Sequence, residues 1–162
     1  TFAPGDVATG GANLHQFTLS GAALFRIAIP PEGTEANADL DVYVFGPNGE
    51  ELRSTAGGTD EEVDIPSPAN GVWKVYVHGW STPGGDSDYD MWSWAIPATP
   101  GGGSLSIASA PTAATIATVG TVQAAWSGIT TGTTADWYLG AVSHTGPSGL
   151  MGLTVVNVDN RP

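Results

Sequence analysis

Two short acidic stretches carry the residues of this chain best suited to binding an ion. In "ADLDVYVFG", residues 38–46, two aspartates are two positions apart, and in "GGDSDYD", residues 84–90, three more alternate after a glycine pair. Residues two apart on a β-strand point to the same side and lie about 7 Å from each other. Calcium binds hard oxygen ligands in a flexible geometry. The pattern therefore predicts a calcium site whose ligands are Asp39, Asp41, Asp86 and Asp88.

A second interpretation of these acids needs no metal. The 84–90 stretch lacks the full calcium-loop pattern, because no glycine follows the third aspartate and no glutamate ends it. Asp39 and Asp41 would then be acids that anchor a loop or lie at a sheet edge, with Lys74 as the cross-strand partner of one of them. The acidic run "TDEEVD", residues 59–64, favours a solvated strand face. Both interpretations remain open on the sequence alone.

The residue patterns of known hydrolytic sites do not occur in this sequence. Its three histidines, His15, His78 and His144, fall in three different predicted strands. Gly-x-Ser-x-Gly and His-Glu-x-x-His are both missing, and the histidines share no metal-ligand spacing. The glycine run "PGGGS" has neither a lysine nor a following helix, so it predicts a linker and not a phosphate-binding loop. We therefore predict a protein without catalytic activity.

The segments that must position these residues have the alternation of β-strands. Gly (23) and Pro (12) interrupt the chain throughout, and Val, Ile, Thr, Trp and Tyr fill the stretches between them. This pattern predicts an all-β protein. The expected strands are 15–21, 23–30, 38–46, 61–66, 71–80 and 89–97, followed by 105–110, 120–129, 136–146 and 150–159.

Alternation also predicts which side chains form the core. We expect residues 13–97 to form one antiparallel β-sandwich. Trp92 and Trp94 share a face with Ile96, so we also expect them to be core residues. The other expected core residues are Phe17, Leu40, Val42, Val44, Val63, Ile65, Trp73, Val75 and Val77.

Composition excludes several classes of partner. Sixteen acidic residues against four basic ones give a net charge of -12. Four cations cannot form the surface that a nucleic acid or an anionic membrane requires. No apolar stretch is long enough for a transmembrane helix. The absence of cysteine excludes disulfides and thiol chemistry.

The segment "PATPGGGS", residues 97–104, combines Pro and Gly without periodicity, which is typical of a linker. We therefore predict a first β-domain over residues 1–97, a linker over 98–104, and a smaller β-domain over 105–162. The second domain is short enough that we expect it to depend partly on its neighbour for stability.

Four aromatic residues of the first domain remain outside the expected core as outward-facing or turn residues: Tyr43, Phe45, Tyr76 and Trp80. Tyr43 and Tyr76, which we expect to face outward on two adjacent strands, would form a flat amphipathic patch, and together with Trp80 they are the residues expected to bind an insoluble protein. The same patch would also suit packing of the second domain.

Residues 13–97 resemble a known family. "DLDVYVFGPNGEELRSTAGGTDEEVDIPSPANGVWKVYVHGW" and "DSDYDMWSWAI" are similar in order and spacing to the bacterial pre-peptidase C-terminal domain. "AAWSGITTGTTADWYLGAVSHTG" and "TVVNVD" are similar to the short fibronectin-III-like tail that follows it in secreted subtilisin-like proteases. The resemblance implies a jelly-roll-like β-sandwich that is non-catalytic and is attached to a secreted peptidase. Some relatives bind collagen or other insoluble polymers, and some bind calcium.

Two functions are consistent with these patterns. The first is an accessory region of a secreted bacterial peptidase that aids secretion or folding, or attaches the enzyme to an insoluble protein such as collagen. Its partner would be the catalytic domain of the parent peptidase. The alternative is an extracellular structural or adhesive module that self-associates through strand-edge pairing or strand donation. The apolar strand near the C-terminus, "GLTVVNVDN", could provide that edge.

Overall fold

A computed structural model describes residue 5 and residues 11–99, 104–113, 118–128 and 137–159. The regular structure of these residues consists of eleven β-strands, and every strand pair is antiparallel. The predicted all-β fold with antiparallel sandwich packing is confirmed. The chain divides into two compact units, Thr1–Thr99 and Pro100–Pro162.

The first unit contains two sheets. The four-stranded sheet has the order β1-β6-β3-β4, and the three-stranded sheet has the order β5-β2-β7. Consecutive strands therefore often lie in different sheets, as expected of a sandwich. The strands are β1 (Ala12–Leu19), β2 (Ala22–Ile29), β3 (Asp39–Phe45), β4 (Glu51–Ser54), β5 (Glu61–Pro66), β6 (Gly71–Ser81) and β7 (Trp92–Pro97).

The main core lies between these sheets, and both contribute to it. Phe25 of β2 packs against Phe17 of β1 and Trp73 of β6, with ring centroids 5.2 and 6.4 Å apart. Apart from the tryptophans of β7, alternation predicts nine core residues. Eight of these belong to the buried cluster, and the ninth, Phe17, packs against it. The buried cluster comprises Leu19, Phe25, Ile27, Ile29, Leu40, Val42, Val44, Val63, Ile65, Trp73, Val75 and Val77.

Trp92 and Trp94 were expected in the core, and that expectation is wrong. They are half-buried, lie outside the core cluster, and stack on each other with centroids 6.0 Å apart. Their cross-strand partners are Ala28 and Arg26, which lie on the face of β2 opposite Phe25 and Ile27. Alternation correctly grouped the two tryptophans on one face, but it did not indicate which face turns inward.

The short strand β4 is absent from the sequence prediction. It has four residues with a single aliphatic side chain, Leu52, so it shows almost no periodicity. The turn before it is well formed. The amide of Gly46 donates to the carbonyl of Glu50 at 2.8 Å, and Gly49 adopts φ +89°, which favours glycine. This turn places β4 antiparallel to β3 at the edge of the sheet.

The second unit contains two two-stranded sheets within its described residues, β8–β9 and β10–β11. No residue of 104–113, 118–128 or 137–159 is fully buried. A two-stranded sheet alone is at best marginally stable in water. The strands are β8 (Ser106–Ser109), β9 (Gln123–Ala125), β10 (Trp137–Gly146) and β11 (Gly149–Asp159).

Candidate functional site

Asp41 belongs to a buried polar network on the face of β3 opposite the main core. Its side chain lies opposite His78 of β6, and the residue is only 5% exposed. The Tyr43 hydroxyl donates to Asp41 Oδ2 at 3.1 Å, and His78 Nδ1 lies 3.6 Å from the same oxygen. Burial raises the pKa of Tyr43, and the charge of Asp41 raises it further. Asp41 is therefore a fixed acceptor within the fold.

The interpretation that Lys74 is the cross-strand partner of Asp39 or Asp41 is wrong. Lys74 lies opposite Phe45, whereas Asp41 lies opposite His78. The register of β3 on β6 decides this pairing, and it runs without a shift from Leu40 to Phe45; the bulge between Asp39 and Leu40 changes only the position of Asp39, which lies opposite Ser81.

Asp39 anchors the loop that precedes β5. Its Oδ1 accepts a hydrogen bond of 3.0 Å from the amide of Gly58, and the Gly58 carbonyl accepts one of 2.9 Å from the amide of Leu40. These reciprocal bonds tie the loop to the start of β3. The loop-anchoring interpretation of Asp39 matches this geometry.

The four predicted calcium ligands do not form a metal centre in the structure. Asp86 and Asp88 are exposed in the loop between β6 and β7, whereas Asp39 and Asp41 make the contacts just described. Within the described residues, no three His, Asp or Glu side chains are arranged so that they could hold a metal ion. Calcium binding by Asp39, Asp41, Asp86 and Asp88 stays a prediction.

The predicted exposure of Tyr43 and Tyr76 is wrong. They are 5% and 6% exposed, and they form a second buried cluster with Phe45, against which Ala12 packs. Tyr43 and Tyr76 are direct cross-strand partners, and Tyr76 meets Phe45 edge to face at 5.8 Å. Alternation placed the tyrosines opposite the main core, but it cannot show whether that second face is covered.

Trp80 is the aromatic residue of the predicted patch that remains accessible. It is 69% exposed and contacts the ring of His78 edge to face, with centroids 6.4 Å apart. Leu14 of β1, the cross-strand partner of Tyr76, is 45% exposed. We call the area formed by Leu14, His78 and Trp80 the Trp80 surface.

Glu61 is a buried acid that sequence reasoning missed, because the 59–64 run was interpreted as a solvated face. It is 1% exposed, and within the described residues neither carboxylate oxygen makes a hydrogen bond of ordinary geometry. Burial raises the pKa of Glu61; the Ser54 hydroxyl opposes this shift, and the charges of Asp41 and Asp39 add to it. The sequence contains a signal for this burial, since Glu61 lies on the same strand face as Val63 and Ile65.

Arg26 is a second buried charge that was not singled out from the sequence. It lies at the centre of the three-stranded sheet, 6% exposed, with two nitrogens 2.6 and 2.5 Å from the carboxylate of Asp64. Glu62 lies 3.0 Å away. The hydrogen bonds to Asp64 raise the pKa of Arg26, so its charge is permanent. Because both acids belong to β5, the guanidinium links β5 to β2.

The three histidines have different partners on different strands. His78 faces Asp41, His144 lies 2.8 Å from the Thr154 hydroxyl, and His15 lies 2.8 Å from the Tyr89 hydroxyl. Burial lowers the pKa of His15, which favours its neutral form. Each ring therefore serves a local contact between neighbouring segments.

The first unit resembles a known protein family over most of its strands. Residues 11–79 match the family model of the bacterial pre-peptidase C-terminal domain. The match covers β1 to β5 and most of β6. This domain is a non-catalytic C-terminal domain of bacterial peptidases, and it occurs in secreted peptidases. Among the described residues, no helix has the length and apolar character needed to cross a membrane.

Proposed function

We propose that this chain is a non-catalytic accessory region of a secreted bacterial peptidase. The observation that carries this proposal is the match of residues 11–79 to the pre-peptidase C-terminal domain. The region would aid secretion or folding of its parent enzyme, or attach it to an insoluble protein substrate such as collagen. The resemblance of residues 105–162 to a fibronectin-III-like tail favours a subtilisin-like parent peptidase.

Attachment would use the Trp80 surface. Tyr43 and Tyr76 are too buried to contact a polymer without rearrangement, whereas Trp80 exposes most of its indole. An exposed Trp supplies a large contact area at a low cost in conformational entropy. The exposed Leu14 would extend the contact across to β1.

The test is a pull-down on fibrillar collagen with a matched tryptophan control. We expect Trp80→Ala to weaken binding about tenfold, which is typical of an aromatic hot spot. Trp126→Ala removes a 49% exposed tryptophan from the second unit and should bind normally. Equal binding by the Trp80→Ala variant and the unchanged protein would exclude this surface.

A second candidate function is self-assembly through the second unit. Leu150 and Met151, at the turn of the β10–β11 hairpin, are 50% and 78% exposed, and both strands carry few charges. Uncharged sheet edges favour pairing with another chain. Size-exclusion chromatography with light scattering over a range of concentrations tests this function. A concentration-dependent oligomer that Met151→Lys converts to a monomer would support it, and a monomer at every concentration would contradict it.

A further inference from the structure

A cavity of about 300 Å³ opens at one end of the sandwich in the first unit. Its apolar lining comes from Leu40 and Val77, which belong to the main core. Its polar lining includes Asn13 of β1 and the loop residues Thr82, Asp86 and Tyr89. A concave site with an apolar floor and a few converging polar groups is the usual form of a small-ligand site.

The walls of the cavity are held by contacts within the fold. The strand register places Asn13 opposite Val77, and Leu40 opposite Gly79. The Asn13 amide donates to the Tyr89 hydroxyl at 3.3 Å, so the Tyr89 proton is available to the neutral His15, 2.8 Å away. These two bonds fix the Tyr89 side chain at the cavity wall. The Tyr89 wall of the cavity is therefore held in place without a ligand.

The polar groups of the cavity favour a ligand that donates hydrogen bonds and carries positive charge. Asp86 provides a carboxylate, Thr82 a hydroxyl oxygen and Asn13 a carbonyl oxygen. None of the basic residues that the structure describes lines the cavity, and Arg26 is already bound by Asp64 and Glu62. An ammonium group donates three hydrogen bonds and accepts none, which matches such a set of acceptors.

We infer that this cavity binds the lysine side chain of a protein partner. The ammonium would lie among Asp86, Thr82 and Asn13, and the methylene stem would pack on Leu40 and Val77. Three acceptors on separate residues favour lysine over arginine, because an ammonium donates three hydrogen bonds in different directions, whereas a planar guanidinium pairs best with both oxygens of one carboxylate, as Asp64 provides for Arg26. The inference goes beyond the proposed function, because the cavity and the Trp80 surface are lined by different residues.

The experiment is an NMR titration of the full chain with Nα-acetyl-lysine methylamide. We expect saturable amide shifts at Leu40, Val77 and Gly79. The matched ligand control is Nα-acetyl-norleucine methylamide, which keeps an alkyl stem but lacks the ammonium and should give no saturable shift. Equal shifts with the two ligands, or no saturable shift with the lysine ligand, would overturn the inference.

Two variants separate a specific contact from general attraction to an acidic protein. Asp86→Asn should weaken binding about tenfold, the effect of losing a hydrogen bond to a charged group. Asp88→Asn makes the same charge change two residues away, at an exposed position outside the cavity lining, and should alter binding by less than about twofold. Equal losses in both variants would mean general electrostatics and would overturn the inference. Thr82→Val removes one acceptor and keeps the shape of the side chain. Its effect on the affinity for the lysine ligand therefore tests the contact without any change of charge.

Discussion

At the scale of single residues, the most informative group is Glu61. An ionised carboxylate without full hydrogen bonding is costly in a protein interior, and Glu61 is only 1% exposed. Asp39 and Asp41 add negative charge nearby. Its raised pKa means that the folded protein holds a proton on Glu61 more tightly than the unfolded chain does.

The sign of the pH effect follows from this shift. The stabilising contribution of protonated Glu61 is fully present below its unfolded pKa and is lost as pH rises through the raised folded pKa. Glu61→Gln, which cannot ionise, should therefore raise the free energy of unfolding at pH 7 by about 1–3 kcal/mol and change it little near pH 4. Urea denaturation at both pH values measures the difference. A variant that is less stable at pH 7 would show that the ionised carboxylate has a compensating partner.

Calcium binding by Asp39, Asp41, Asp86 and Asp88 remains a proposal with its own test. Calcium should raise the melting temperature in proportion to the logarithm of its concentration, and more than sodium at matched ionic strength. Asp41→Asn should remove most of that calcium-specific rise. This variant should also melt lower in chelator, because the Tyr43 hydroxyl loses its charged acceptor. The quantity to compare is therefore the difference in melting temperature between calcium and sodium at matched ionic strength. Equal melting temperatures in the two salts would contradict the proposal.

At the scale of the elements, β6 shows how the same alternation produces two different roles. Tyr76 and Trp80 are four residues apart on this strand, yet the first is buried against Phe45 and the second is 69% exposed. The outer face of the four-stranded sheet thus contains both a packed aromatic cluster and an accessible aromatic residue.

This contrast predicts that alanine substitutions at Tyr76 and Trp80 change stability by very different amounts. Tyr76→Ala should lower the free energy of unfolding by about 3 kcal/mol, as expected for removing a buried aromatic side chain. Trp80→Ala should change it by less than about 0.5 kcal/mol. Thermal unfolding monitored by circular dichroism compares the two variants directly. If Tyr76→Ala is as stable as the unchanged protein, the burial of the second aromatic cluster would be contradicted.

At the scale of the whole molecule, the two units differ in how much they bury. The first has a continuous core contributed by both of its sheets, whereas the described residues of the second include none that is fully buried. Hydrophobic burial is the main favourable term in folding, so independent stability should follow the same division.

We therefore expect the two units to behave differently when expressed separately. A fragment of residues 1–99 should unfold in one cooperative transition near the melting temperature of the same unit in the full chain. A fragment of residues 100–162 should show no cooperative transition. Differential scanning calorimetry of both fragments and of the full chain tests this expectation. A sharp heat-absorption peak from the second fragment alone would show that it has a core of its own.

The sequence by itself determined the strands with strong alternation and the side chains that share a face. β2, β3, β5 and β6 lie close to their predicted positions, and Leu40, Val42, Trp73 and Val75 are buried as predicted. This was possible because side-chain direction along a strand repeats every two residues and depends only on local backbone geometry. β4 escaped prediction because four residues with one aliphatic side chain carry too little of that signal.

Only the tertiary structure decided which faces are covered and which distant residues meet. The burial of Asp41 and Tyr76, the exposure of Trp80 and the inward position of Glu61 depend on neighbours from other strands. The cavity is a further example, since Asn13, Leu40, Val77 and Asp86 come together only through strand register and the path of one loop. Alternation is a property of a single strand, whereas burial is a property of everything packed against it, and that is why the sequence predicted the faces but not their surroundings.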